Sequence, residues 1–220
     1  MVKIKMCGFT RAEDITQACK LGVDAIGLNF YPPSPRYITA AKAKALLKDF
    51  SPFTKSVALF VNEPAETVED LLQRLQIDLL QFHGDENADY CESFSKPYIK
   101  VIKLSPKNTS ASEMTKQLQH AMLEHPNAQG FLIDALVIGE VGGTGQSYNW
   151  KVLSQALCDH ALQRVLSERE LIIAGGLTPQ NCASCADILK PYALDVSSGI
   201  ESGRGIKDTA KMLAFVEALK

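Results

Sequence analysis

The chain has 220 residues, 46% of them hydrophobic and 22% charged, with a formal net charge of −2. This composition excludes a disordered chain and supports one sizeable core. It supplies no global positive field that would attract nucleic acid.

No apolar stretch reaches the roughly 18 residues a membrane helix needs, so no membrane partner is expected. The opening Met1-Val2-Lys3-Ile4-Lys5-Met6-Cys7-Gly8 reads as a strand and a turn, not as a signal peptide. The expectation is a cytoplasmic protein. Its six cysteines then read as thiols, because the cytosol is reducing.

In chain order, short runs rich in Val and Ile predict eight strands. They lie at Lys3–Met6, Ala25–Phe30, Ser56–Val61, Ile77–Gln81, Tyr98–Lys103, Gly130–Asp134, Leu171–Ala174 and Ala193–Val196. Segments of helical spacing separate them. Ile15, Ala18, Cys19 and Gly22 share one face of the first. Val68, Leu71, Leu72 and Leu75 mark the third, after Pro64, which suits a helix's first turn. Thr109–Gln129 reads as mostly helix. Met212, Phe215, Val216 and Leu219 mark the last helix.

Eight strand–helix units of about 27 residues each sit near the smallest size of a βαβ repeat. The strands read as continuous apolar runs, as parallel strands covered on both faces do. The pattern predicts an α/β fold, a single (β/α)8 TIM barrel of near-minimal length spanning 1–220 as one catalytic domain. A doubly wound sheet is the alternative, but it normally has fewer strands and a clear switch point.

In such a barrel the chemistry sits at the C-terminal ends of the strands. Three of those ends are rich in glycine or serine: Gly142-Gly143-Thr144-Gly145, Gly175-Gly176 and Ser197-Ser198-Gly199. One pair of glycines would only make a turn. Three neighbouring loops of this kind predict a phosphate cradle from Gly143, Gly145, Gly175, Gly176, Ser197, Ser198 and Gly199.

Cys7 ends the first strand. It is either a small buried hydrophobe or a thiol that handles protons beside the anion site. Asp134 ends the sixth, where a carboxylate is costly unless exposed, paired or functional. The two face a substrate from two sides of the mouth, as proton shuffling requires. Arg36 sits in Pro33-Ser34-Pro35-Arg36-Tyr37, where the prolines stiffen the loop. It is either a solvated charge or a clamp for a planar carboxylate. His83 is read as structural or pocket-lining. Cys182 and Cys185 have C-x-x-C spacing without a second pair, so packing is expected rather than zinc. No metal constellation or nucleotide-binding glycine loop is apparent.

Several motifs together resemble one family. They are Lys5-Met6-Cys7-Gly8, Ser34-Pro35-Arg36-Tyr37 and Gln81-Phe82-His83-Gly84-Asp85-Glu86. Asp134 with Gly142-Gly143-Thr144-Gly145 and Trp150 continues the series, then Ala174-Gly175-Gly176-Leu177-Thr178-Pro179-Gln180-Asn181. Asp195-Val196-Ser197-Ser198-Gly199-Ile200-Glu201 and Gly205-Ile206-Lys207-Asp208 complete it. In this order they resemble the phosphoribosylanthranilate isomerases of tryptophan biosynthesis. The departures, Phe82 where that family more often has Leu and Met6 where it often has Ile, are apolar strand positions.

The resemblance implies an intramolecular oxidoreductase of the aldose–ketose type, carrying out an Amadori rearrangement. N-(5-phosphoribosyl)anthranilate would become 1-(o-carboxyphenylamino)-1-deoxyribulose 5-phosphate. It implies Asp134 as general acid, Cys7 as general base, Arg36 as the carboxylate clamp and the glycine-rich loops as the phosphate cradle. It implies no cofactor, because hydrogen only moves within the substrate. The partner is a small phosphorylated molecule, with no nucleic acid and no membrane, and either a monomer or a homodimer suits the barrel. Two rivals remain. The related isomerase of histidine biosynthesis carries Asp at the strand-one position, against which Cys7 speaks. A barrel that binds such a metabolite without turning it over would keep the same cradle.

Overall fold

Alternate residues of a strand face opposite sides of a sheet. In a barrel covered by helices, one phase packs outward and the other fills the interior. The chain, described here by a computed structural model over residues 1–104, 110–134 and 150–220, follows that rule. Eight parallel strands close a barrel in chain order: β1 (Lys3–Cys7), β2 (Ala25–Asn29), β3 (Lys55–Phe60), β4 (Leu79–Phe82), β5 (Tyr98–Lys103), β6 (Gly130–Asp134), β7 (Glu170–Ala174) and β8 (Ala193–Val196). The ring shuts where β1 pairs with β8, with Met6 opposite Val196.

The helices are α1 (Ala12–Lys20), α2 (Ala40–Leu46), α3 (Ala65–Arg74), α4 (Ala88–Glu92), α5 (Ala111–Leu123), α6 (Trp150–Leu157), α7 (His160–Leu166), α8 (Cys182–Leu189) and α9 (Thr209–Glu217). Of the apolar faces read from the sequence, Ile15 and Ala18 on α1, Val68 and Leu71 on α3, and Met212, Phe215 and Val216 on α9 are buried, while Cys19, Leu72 and Leu219 are half-buried and Gly22 lies exposed beyond the end of α1. Cys182 and Cys185 are fully buried in α8 and unbridged, as packing residues are. Among the described residues, no helix is long and apolar enough to cross a membrane.

Three differences from the sequence reading have local causes. The fourth strand begins at Leu79, not Ile77, because the Asp78 carboxylate takes the Ser56 N–H and hydroxyl, each at 2.7 Å. α5 is shorter than Thr109–Gln129. A capping box of Ser110 and Glu113 starts it, and Pro126 lies just beyond its end. Among the described residues between β6 and β7 lie two helices, divided where Asp159 accepts the backbone N–H of Ala161 and Leu162 to cap α7. After β8, an antiparallel pair, β9 (Glu201–Gly203) and β10 (Ile206–Lys207), was not foreseen.

The interior is not uniformly apolar. Ile99, Val101, Leu132, Ile172, Ala174 and Ala193 form an inner cluster on β5 to β8. On the other side the inward phase carries Lys5, Asp195 and Gln81, all buried. The runs look continuous in sequence because the outward residues between them, such as Ile4, Met6 and Leu194, are apolar.

Phe82 sits at the centre of the outward core beside β4. Its ring lies 5.7–6.2 Å from those of Phe60, Tyr90, Phe94 and Tyr98. Phe82→Ala should therefore destabilise the fold by about 3–5 kcal/mol. Urea unfolding should register this as a lower midpoint at unchanged m.

Candidate active site

The C-terminal ends of the strands surround a cavity of about 480 Å³. Its wall brings together Cys7 from β1, Arg36 from the loop after β2, His83 beyond β4, Asp134 from β6, Gly175 and Gly176 beyond β7, and Ser197 and Ser198 beyond β8. The sequence-predicted residues therefore converge on one site, with three exceptions. Gly143 and Gly145 lie outside the described residues. Gly199 is absent from the cavity wall; a Cβ there would strike the Leu177 carbonyl oxygen, so its role in the fold is the close approach of the two loops.

Cys7 is buried, 6% exposed, and stands against Gly27 of β2. A Cβ at Gly27 would come within 2.5 Å of the thiol sulfur, so the bare strand makes the space the thiol occupies. Burial pushes the Cys7 thiol up from its ordinary value. Lys5 and Lys207 pull it down, and Asp195 works with burial. Lys5 and Asp195 form an ion pair at 2.9 Å, both nearly inaccessible. The same burial pushes the Asp195 carboxyl up, against the pull of Lys5.

Asp134 lies around the ring from Cys7, its side chain 15% exposed. His83 Nε2 is 3.4 Å from Asp134 Oδ2. The imidazole therefore lines the site and touches the carboxylate, instead of serving only the loop. The loop that carries it is itself built tightly. The Glu86 carboxylate accepts from the backbone N–H of Asn62 and Gly84, at 2.7 and 2.9 Å. Lys100 pairs with Glu86 at 2.9 Å from beneath.

Arg36 is held, not solvated. The Ser34 hydroxyl oxygen accepts its backbone N–H, and Asn29 Nδ2 donates to that hydroxyl in turn. Its guanidinium meets Glu201 of β9 in a fork, Nε to Oε1 and Nη2 to Oε2, both at 2.7 Å. This geometry uses one edge of the guanidinium and leaves Nη1 for another acceptor. Glu201 also pairs with Lys207 of β10 at 3.0 Å. Burial would raise the Glu201 carboxyl, but hydrogen bonds from Arg36 and Lys207 outweigh it and hold the carboxyl below its ordinary value. Lys207, fully buried, donates to the carbonyl oxygens of Cys7 and Ser197 at 2.6 and 3.1 Å.

Gly175 and Gly176 have φ of 89° and 63°, left-handed values that turn successive N–H groups the same way. Asn181 braces this turn, donating to the Gly176 carbonyl and accepting from the Thr178 N–H. Together with Ser197 and Ser198 this corner of the cavity presents backbone donors and hydroxyls, which suit an anion.

The model of the N-(5'phosphoribosyl)anthranilate (PRA) isomerase family matches residues 4–218 of the chain. The chain belongs to this isomerase family. It is 42% identical over 219 residues to the N-(5'-phosphoribosyl)anthranilate isomerase of Pseudomonas fluorescens strain Pf-5, covering 100% of this chain and 96% of the relative. The crystal structure of the phosphoribosyl anthranilate isomerase from Thermotoga maritima superimposes with a TM-score of 0.82 at 31% identity, covering 99% of this chain and 98% of that one. A family structure in complex with reduced 1-(o-carboxyphenylamino)-1-deoxyribulose 5-phosphate has a TM-score of 0.78 at 30% identity, covering 99% and 98%. As a member of the PRA isomerase family the chain is an enzyme, an isomerase built on a TIM barrel.

In this PRA isomerase site four residues went unassigned in the sequence: Lys5, Asp195, Glu201 and Lys207. Each stood inside a motif without a role, because partners 6 to 200 residues away give no local signal. Gln81 is a fifth. It lines the cavity, and its buried Oε1 has no hydrogen-bond partner among the described residues. It is an acceptor that a donor on a bound ligand would satisfy.

Glu201 gives a prediction with a definite sign. Its folded carboxyl is depressed, so its stabilisation is complete above the ordinary value of 4.5 and is lost as pH falls through the lower folded value. Glu201→Gln should cost about 3 kcal/mol near neutral pH, since it strands the buried Lys207 and the half-buried Arg36. The deficit should shrink in urea titrations carried down to about pH 3.

Proposed function

We propose that this PRA isomerase converts N-(5-phosphoribosyl)anthranilate to 1-(o-carboxyphenylamino)-1-deoxyribulose 5-phosphate, a step of tryptophan biosynthesis. The observation that carries the reading is the convergence of a thiol, a carboxylate, a braced guanidinium and an anion-suited turn on one cavity. The substrate has one phosphate, one aromatic carboxylate and a sugar ring between them. The wall offers a partner to each.

Asp134 acts as general acid on the furanose oxygen. The ring opens and a protonated imine forms at C1. Cys7, as thiolate, removes the C2 proton and becomes a thiol. The resulting enolamine gains a proton at C1 and loses the enol proton at O2, which gives the ketone. No net oxidation occurs and no electrons leave the substrate. His83, in contact with the Asp134 carboxylate, orients it towards the ring.

Arg36 receives the anthranilate carboxylate on the part of its guanidinium that Glu201 does not engage. The Gly175-Gly176 turn and the Ser197-Ser198 loop receive the phosphate. Anchoring both ends holds the sugar carbons between acid and base, and such fixation contributes much of the rate enhancement in reactions of this kind.

Turnover of freshly generated phosphoribosylanthranilate by the purified chain tests the reading directly. Cys7→Ala and Asp134→Asn should each lose about 10²–10⁴ in kcat while still binding reduced 1-(o-carboxyphenylamino)-1-deoxyribulose 5-phosphate. Near-normal kcat in either variant would remove that residue from its role. Arg36→Ala should mainly raise KM, and an unchanged KM would take the carboxylate away from it. A folded wild type that binds the reduced product but turns nothing over would make the chain a binding protein.

A further inference from the structure

The Lys5–Asp195 pair has no part in the mechanism above, yet it is among the most buried charge in the molecule. The side chains of Lys5 and Asp195 are 4% and 8% exposed, and Nζ lies 2.9 Å from Oδ1. A buried ion pair is poor support for stability, since desolvation offsets most of the attraction. Its place is informative. Lys5 and Cys7 are alternate residues of β1 and so share the inward face. Asp195 belongs to β8, the strand that pairs with β1, and with Cys7 it lines the cavity. The Lys5 ammonium, carried two residues below Cys7 on this inward face, works against burial to lower the Cys7 thiol. One ammonium has three N–H groups, enough for a carboxylate and a sulfur at once.

We infer that Lys5 is a positioning residue for Cys7: its ammonium, oriented by Asp195, is the counter-ion that stabilises the Cys7 thiolate from beneath. The inference deepens the proposed function, since it rests on Cys7 being the base. The charged groups acting on Cys7 come from four places. They are Lys5 on its own strand, Asp195 on β8, Lys207 on β10 and Arg36 beyond β2. Asp134 and His83 act in turn on Asp195, with opposite effects. Asp195 both orients the ammonium and opposes the thiolate. Burial alone favours the thiol, and Lys5 and Lys207 are the groups that counter it.

This arrangement predicts opposite signs for the two partners, which a merely structural pair would not produce. The measurement is the rate of iodoacetamide alkylation of Cys7 against pH, followed by the mass of the Cys7 peptide so that the other five thiols do not interfere. No substrate is present. Lys5→Met should move the thiol titration upward by about one unit or more, roughly a tenfold loss of thiolate at a given pH below it. Asp195→Asn should move it downward. The double variant Lys5→Met/Asp195→Asn, which leaves no unpaired buried charge, should lie between wild type and Lys5→Met. If Lys5→Met does not fold, the order of Asp195→Asn, wild type and the double variant decides, the double again lying above wild type. Shifts of one sign in both single variants, or no shift in either, would overturn the inference. The two readings fail separately. If Cys7 is not the base, Cys7→Ala keeps its turnover whatever the alkylation order. If Lys5 does not tune the thiol, Cys7→Ala loses turnover and the order collapses.

Discussion

The site depends on one carboxylate. Glu201 is 6% exposed and binds two cations, Arg36 at 2.7 Å and Lys207 at 3.0 Å. Taking three charges out of water is costly unless their geometry is good and their remaining hydrogen bonds are made. Here they are: the fork with Arg36 uses both carboxylate oxygens, and Lys207 spends its other donors on the carbonyls of Cys7 and Ser197. The result is a tie between the ends of β1 and β8 and the loop after β2. Were the carboxylate lost, the guanidinium would lose its orientation, and the strand end that carries the thiol would lose its brace.

The same device recurs. Lys5 with Asp195, Lys100 with Glu86 and Lys207 with Glu201 are all buried cation–carboxylate pairs, and each joins segments distant in sequence. Hydrophobic contacts are non-directional and would hold the barrel together with some slack at its rim. Charge pairs with filled hydrogen bonds are directional. They fix where a loop leaves its strand, to the tolerance that proton transfer demands. The β9–β10 pair makes sense in this light. It is a two-strand bracket that delivers Glu201 and Lys207 to the mouth from the same short segment.

How legible this was in the sequence follows from which signals are local. Eight strands and the faces of α1, α3 and α9 were readable because apolar periodicity survives in a window of ten residues. Gly130–Asp134 ends where its apolar run was read to end, and Ala25–Asn29 ends one residue short of the run read as Ala25–Phe30. The start of β4 was misread because Asp78 looks like a strand residue until its carboxylate is seen to cap Ser56. Asp134 stood out as a carboxylate costly at a strand end, Cys7 as a thiol at a strand end, and Arg36 as a cation in a loop stiffened by prolines. Lys5 and Asp195 did not, because a single charge in an apolar run looks like an exposed position on an alternating strand. Only the closure of the ring, 190 residues apart, reveals that each neutralises the other. Arg36 was legible as a candidate clamp but not as a partner of Glu201, for the same reason.

The barrel floor is divided in a way that fits two different proton-handling groups. Below Asp134 the inward phase is Leu132, flanked by Val101 on β5 and by Ile172 and Ala174 on β7. Below Cys7 it is Lys5, flanked by Asp195. A thiolate in a buried place must be matched by positive charge, because a low dielectric makes an isolated anion expensive. A carboxyl group that gives up a proton to the substrate needs no cation beneath it, and it can stand on an apolar plug beside an imidazole. The ring symmetry of eight similar units would give eight similar floors. The inward residues of β1 and β8 break that symmetry, and the break lies under Cys7, where the proposed role as thiolate base calls for positive charge.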